Sequence, residues 1–207
     1  MKNKTNKVSW FVFVVLAVAV GLYPLIYFFV DREFGLLASK SDELLTNMLW
    51  NIGFYGHILL GGLALLIGWM QFSKKLRNAN LKMHRNVGKL YIISAVISGI
   101  CGIYIAFNAT GGIIASLGFI GLGIFWLFTT LKAYIAVRNK DISLHKGFMI
   151  YSYAACFAAV TLRIWLPILN IVFDDFEVAY RIVAWLCWVP NIIFAFFWVK
   201  KRGLIIG

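Results

Sequence analysis

Three histidines and one arginine stand inside or at the ends of long apolar segments of this sequence: His57, His84, His145 and Arg163. An imidazole can ligate haem iron or carry a proton. A guanidinium can grip a carboxylate or phosphate through two parallel N–H bonds. Ionisable groups are costly in hydrocarbon, so such residues face a bundle interior, a cavity or a partner. His57 shares one helical face with Gly53, Gly61, Ala64, Gly68 and Gln71, following three-to-four spacing. That face reads either as a small-residue seam for close helix packing or as space for a flat ligand beside His57, with Gly61 one turn away. Arg163 follows His145 by eighteen residues, five helical turns or ~27 Å along the axis, so both point the same way. Ser152, Cys156 and Ala159 lie between them on that face. Arg163 then either binds an anionic ligand or pairs with Asp174, Asp175 or Glu177 just beyond its helix.

His84 and His145 open two helices at one membrane side, each followed by a basic residue, Arg85 and Lys146. They fit a headgroup-layer phosphate site, loop caps, or a bis-histidine site for one b-type haem, with Arg85 and Lys146 pairing the propionates. In that last reading His57, Arg163 and Gly61 shape a site for a quinone-like or carboxylate ligand, and the protein is a haem- or quinone-linked membrane redox protein. The alternative is a non-enzymatic protein that binds or transports a small molecule or lipid headgroup. Hydrolytic motifs such as Gly-x-Ser-x-Gly, His-Glu-x-x-His and the Walker loop do not occur, and no catalytic residue is assigned. Cys101, Cys156 and Cys187 all lie in apolar runs without metal spacing and read as small core residues.

The elements that position these residues are six apolar runs, at about 9–30, 51–72, 88–107, 113–137, 143–169 and 179–199. Each is close to the ~20 residues that cross a bilayer. The 207 residues are 62% hydrophobic and 14% charged, and the short loops leave no room for a soluble domain. The expected fold is all-α, a single membrane domain over 1–207 embedded in the lipid bilayer. The net charge of +12 comes from basic residues dispersed among loop ends, which excludes nucleic-acid binding as the main role. Sixteen of the 20 Lys and Arg residues gather at one set of helix ends with a single carboxylate, Asp141. The opposite ends carry seven carboxylates against Arg32, Lys40 and Arg181. Basic short loops stay cytoplasmic, which predicts six spans with both termini inside. Ala17-Val18-Ala19 resembles a signal cleavage site, but the apolar run continues to spanning length, so an uncleaved first helix is expected. Pro167 is expected to end the fifth helix and Pro190 to kink the sixth. Trp10, Trp50, Trp69, Trp165 and Trp198 are expected at the interfaces.

The stretch from His57 to Pro167 contains HILLGGLALLIGWMQF, HRNVGKLY, SGICGIYIA, the WLFTTLKAYIA run and HKGFMIYSYAACFAAVTLRIWLP. It resembles the prokaryotic membrane proteins filed as domain of unknown function 2306. The resemblance rests on the His-x3-Gly-Gly, His-Arg-x2-Gly and Thr-Leu-Arg-x-Trp elements together. Where family members often carry a basic residue, this chain has Tyr151. The resemblance implies a multi-pass protein of a prokaryotic cytoplasmic (inner) membrane and no particular activity. A looser similarity is to four-helix b-type cytochromes, whose double histidine pairs are missing here.

Overall fold

The computed structural model describes residues 2–31 and 35–204. Arg32 and Glu33 of the first acidic loop lie outside the described residues. Ten α-helices follow in chain order: α1 (Lys2–Leu22), α2 (Asp42–Thr46), α3 (Met48–Gly68), α4 (Lys74–Ala79), α5 (Leu81–Ala106), α6 (Gly112–Arg138), α7 (Ile142–Cys156), α8 (Ala158–Phe173), α9 (Phe176–Leu186) and α10 (Val189–Lys201). Short 3-10 stretches cover Tyr23–Phe28, Gly35–Ser39 and Trp69–Phe72. The described residues contain no strand. Six helical stretches are long and apolar enough to cross a membrane: Lys7–Phe28, Met48–Phe72, Leu81–Ala106, Gly112–Arg138, Ile142–Phe173 and Phe176–Lys201. The all-α, six-span bundle expected from the sequence is the fold observed.

Side-chain caps set most helix starts, because the first N–H groups of a helix need acceptors. Asn47 Oδ1 accepts from Trp50 N (3.0 Å), Asn80 Oδ1 from Met83 N (2.8 Å) and Asp141 Oδ1 from Leu144 N (2.9 Å). Asp175 Oδ1 takes both Glu177 N and Val178 N. The Asn80 cap sets the start of the continuous helix Leu81–Ala106. Ser73 caps the short α4 in the basic loop that precedes it. Gly111 and Gly112 both have positive φ and turn the chain between α5 and α6, a conformation open to glycine.

Two expectations change. The fifth span does not end at Pro167; α8 runs through it to Phe173. Proline removes one N–H and frees the carbonyl four residues earlier, here Arg163, and the helix continues because the flanking turns stay bonded. The interruption falls instead at Phe157, between α7 and α8. Trp50 is not at a lipid interface. It is 2% exposed and stacks on Phe54 at 5.1 Å, over Leu37. The sixth span breaks at Cys187–Trp188, just before Pro190, as expected.

The bundle is held by α3 on α5, α5 on α6, and α6 on α7. The main core gathers Ala64, Leu65, Tyr91, Ala95, Trp126 and Tyr153. Within it Tyr91, Ser152 and Thr130 form a buried hydroxyl chain, with Tyr91 Oη to Ser152 Oγ at 2.8 Å and Ser152 Oγ to Thr130 Oγ1 at 2.7 Å. Each polar group there finds a partner, as burial in a dry interior requires. A second cluster, toward the acidic loops, joins Ala158, Tyr180, Val183, Ala184 and Cys187.

Candidate functional site

Arg163 projects from α8 toward the acidic-loop end of the bundle. Its guanidinium carbon lies 4.3 Å from the centroid of the Tyr23 ring, a cation–π contact. Tyr27 and Tyr180 stand within electrostatic range of it. Tyr23 and Tyr27 are one turn apart in the 3-10 stretch after α1, with ring centroids 6.0 Å apart and nearly perpendicular. Tyr180 comes from α9. The charge therefore sits among aromatic rings from the first and sixth spans.

A guanidinium carries five N–H donors. In this site Arg163 Nη1 donates to the Ala159 carbonyl of its own helix at 2.9 Å. The Nε–H is buried and has no hydrogen-bond partner. The pairing with the acidic loop does not form among the described residues. Glu177 instead takes Arg181 at 2.8 Å, and Asp175 caps α9. Among the described residues Arg163 thus has no carboxylate partner, and its Nε–H is left without an acceptor.

His57 lies within electrostatic range of Arg163. Its Nδ1 donates to the Ser98 carbonyl at 3.0 Å and lies 3.2 Å from Ser98 Oγ, while Ser98 Oγ donates to the His57 carbonyl at 2.9 Å. The carbonyl can only accept, so Nδ1 holds a proton, and in the neutral imidazole Nε2 then keeps the lone pair. The small-residue face of α3 is filled by α5. A Cβ on Gly61 would meet Ser98 Oγ at 2.9 Å, and one on Gly53 would meet the Tyr104 ring at 2.8 Å. Gly61 therefore serves close packing, and the ring of His57 itself lies over Gly102.

At the basic end His84 and His145 are within electrostatic range of each other, as the bis-histidine reading requires. His145 Nδ1 donates to the Ala133 carbonyl at 2.9 Å, which leaves its Nε2 available. Arg85 and Lys146 are exposed. The cavity that His84 lines, with Gln71, Arg77 and Met83, has a volume of about 10 Å³. That space suits one water, and a porphyrin does not fit it as it stands.

A protein-family model described as a predicted membrane protein, DUF2306, matches residues 54–199. The chain belongs to that family. The matched region holds His57, His84, His145, Arg163 and Tyr180, whereas Tyr23 and Tyr27 precede it. No curated protein and no solved structure matches this chain.

Sequence reasoning found His57 and Arg163 but missed the tyrosines. Tyr23 and Tyr27 are spaced four apart at the depth of Arg163, and that spacing was the available signal.

Proposed function

We propose that this DUF2306 member binds an organic oxyanion, a carboxylate or phosphate with an apolar body, at Arg163. The observation that supports this is the guanidinium itself. It is walled by tyrosine, has no carboxylate partner among the described residues, and has a buried Nε–H without an acceptor. A buried donor left without a partner costs roughly 1–3 kcal/mol, more when charged, and an oxyanion supplies what it lacks. Arg163 provides the bidentate grip. Tyr23 and Tyr180 give the apolar body ring faces and offer hydroxyl donors. His57, with Nε2 unprotonated, accepts a hydrogen bond from a ligand hydroxyl or a protonated acid. With both termini cytoplasmic, the site lies toward the external side of the membrane.

Tryptophan fluorescence of detergent-purified protein tests the reading. Benzoate and benzenesulfonate should bind saturably and phenol should not. Arg163→Gln should raise the Kd for both anions at least tenfold, about 1.4 kcal/mol, while Arg181→Ala, at the rim, leaves it unchanged. Equal binding of phenol and benzoate defeats the proposal.

A second reading, a b-type haem between His84 and His145, draws on their proximity and on the Nδ1–H bond of His145 to Ala133. It requires the basic ends of α5 and α7 to part around the macrocycle. Expression with haem supply and a reduced-minus-oxidised absorption spectrum tests it. Loss of the spectrum in His84→Ala and in His145→Ala is the expected outcome of that reading.

A further inference from the structure

The fifth and sixth spans are interrupted at neighbouring points, and one side chain bridges the two interruptions. In the fifth span α7 gives way to α8 at Phe157. In the sixth, α9 gives way to α10 at Cys187–Trp188, where Trp188 leaves helical geometry (φ −124°) and Pro190 has no N–H to offer. Asn191 Nδ2 donates to the Cys187 carbonyl (3.0 Å) in its own span. It also reaches the Ala154 carbonyl (3.3 Å) and Thr161 Oγ1 (3.1 Å) in the other. Thr161 Oγ1 donates in turn to the Cys187 carbonyl. Freed backbone carbonyls within a membrane need such partners. Here an amide and a hydroxyl satisfy them without restoring either helix.

The pieces on either side of the breaks pack as separate pairs. Toward the acidic loops, α8 packs on α9 around Ala158, Tyr180, Val183 and Ala184. Toward the basic loops, α7 packs on α10 around Tyr151, Ala195 and Val199. The unbroken α6 runs behind both pairs. It packs closely on α9, where a Cβ on Gly118 would meet the Ala184 backbone at 2.9 Å, and Trp185 Nε1 of α9 donates to the Ile114 carbonyl at 3.1 Å. Arg163 and Tyr180 ride on the α8–α9 pair, with Arg163 six residues, ~9 Å, beyond the break. Tyr23 and His57 belong to other spans, so movement of the pair would open or close the aromatic walls around the guanidinium.

Resting on the anion-binding reading, we propose that the protein is a carrier, in which the α8–α9 pair hinges about Phe157 and Cys187–Trp188 and so moves a bound organic oxyanion across the membrane. Paired interruptions beside a binding residue, bridged by side chains and not by helix bonds, are what a rocking element needs.

The test reconstitutes the full chain in liposomes and follows uptake of radiolabelled benzenesulfonate, which stays charged and does not leak as an acid. Binding of the same probe is measured in parallel. Wild type should bind and take up the probe. Asn191→Leu and the near-isosteric Thr161→Val should keep binding within threefold and lose uptake about tenfold. If wild type binds without uptake, the carrier is overturned and the binding reading stands. If wild type does not bind, both fall. If both variants transport normally, or lose binding and uptake together, the hinge is overturned. Thr161→Val keeps the test open should Asn191→Leu fail to fold.

Discussion

Arg163 is the side chain whose surroundings explain least as structure and most as function. A residue placed to hold a helix end would show its donors spent on carbonyls. Here one bond goes to Ala159 and the Nε–H stays orphaned. Arg163→Lys keeps the charge and loses the fork, so benzoate affinity should fall three- to tenfold, less than with Arg163→Gln. Lys40 is a second cation with a distinct environment. Its ammonium donates to the Asn108 carbonyl at 2.6 Å and to Thr110 Oγ1 at 2.9 Å, and no carboxylate among the described residues pairs with it. Burial lowers its pKa from the ordinary lysine value to about 8. The unfolded chain therefore holds this proton to higher pH than the folded chain does. By linkage, the stability that Lys40 adds as pH rises from about 8 to 10.5 is given up over that same interval as pH falls, and below about 8 its contribution no longer changes. Acylation needs the neutral amine. Labelling of Lys40 by an amine-reactive ester should reach half its maximal rate near pH 8, well before the exposed lysines. Half-labelling near pH 10 would show that loop burial does not perturb it.

Helix contacts in this bundle are set by glycine where rings must approach. A Cβ on Gly68 would collide with the Tyr153 ring, whereas one on Gly121 would rest 3.6 Å from Trp188 in ordinary contact. Gly68→Ala should cost about 1–3 kcal/mol through overpacking, and Gly121→Ala should be neutral or mildly stabilising, measured by thermal unfolding in detergent. The existence, order and length of the six spans were readable from apolar runs and loop charge, because bilayer thickness imposes both. The tight turn before α6 was readable from its glycines. The break at Phe157 was not readable, since neither Pro nor Gly marks it. Its partners, Asn191 and Thr161, come together only when two spans pack. Pro167 misled for the converse reason: near the end of a well-packed helix the loss of one N–H does not stop the chain. Trp50 misled because an aromatic at a span end looks the same in sequence whether it meets lipid or Phe54. The tyrosine walls of the site escaped because they come from the first and sixth spans and meet Arg163 only when those spans pack on the fifth.

For the whole molecule, the charge partition and the six spans place Lys40 and Lys140 on opposite sides of the membrane. In intact cells a membrane-impermeant thiol reagent should label Lys40→Cys and not Lys140→Cys, and equal labelling of both overturns the orientation. The stacking of Arg163 on Tyr23 also bears on how the chain is made. An arginine deep in a span resists insertion by roughly 2.5–3.5 kcal/mol, and the fifth span carries no carboxylate of its own to offset it. Synthesis runs from the N-terminus, so the ring of Tyr23 is already in the bilayer when Arg163 emerges from the ribosome. The first span thereby acts as an assembly partner for the fifth. A chain truncated before Asp31 should insert its fifth span poorly, and co-expressing the first span as a separate peptide should restore it, whereas the Tyr23→Ala peptide should not.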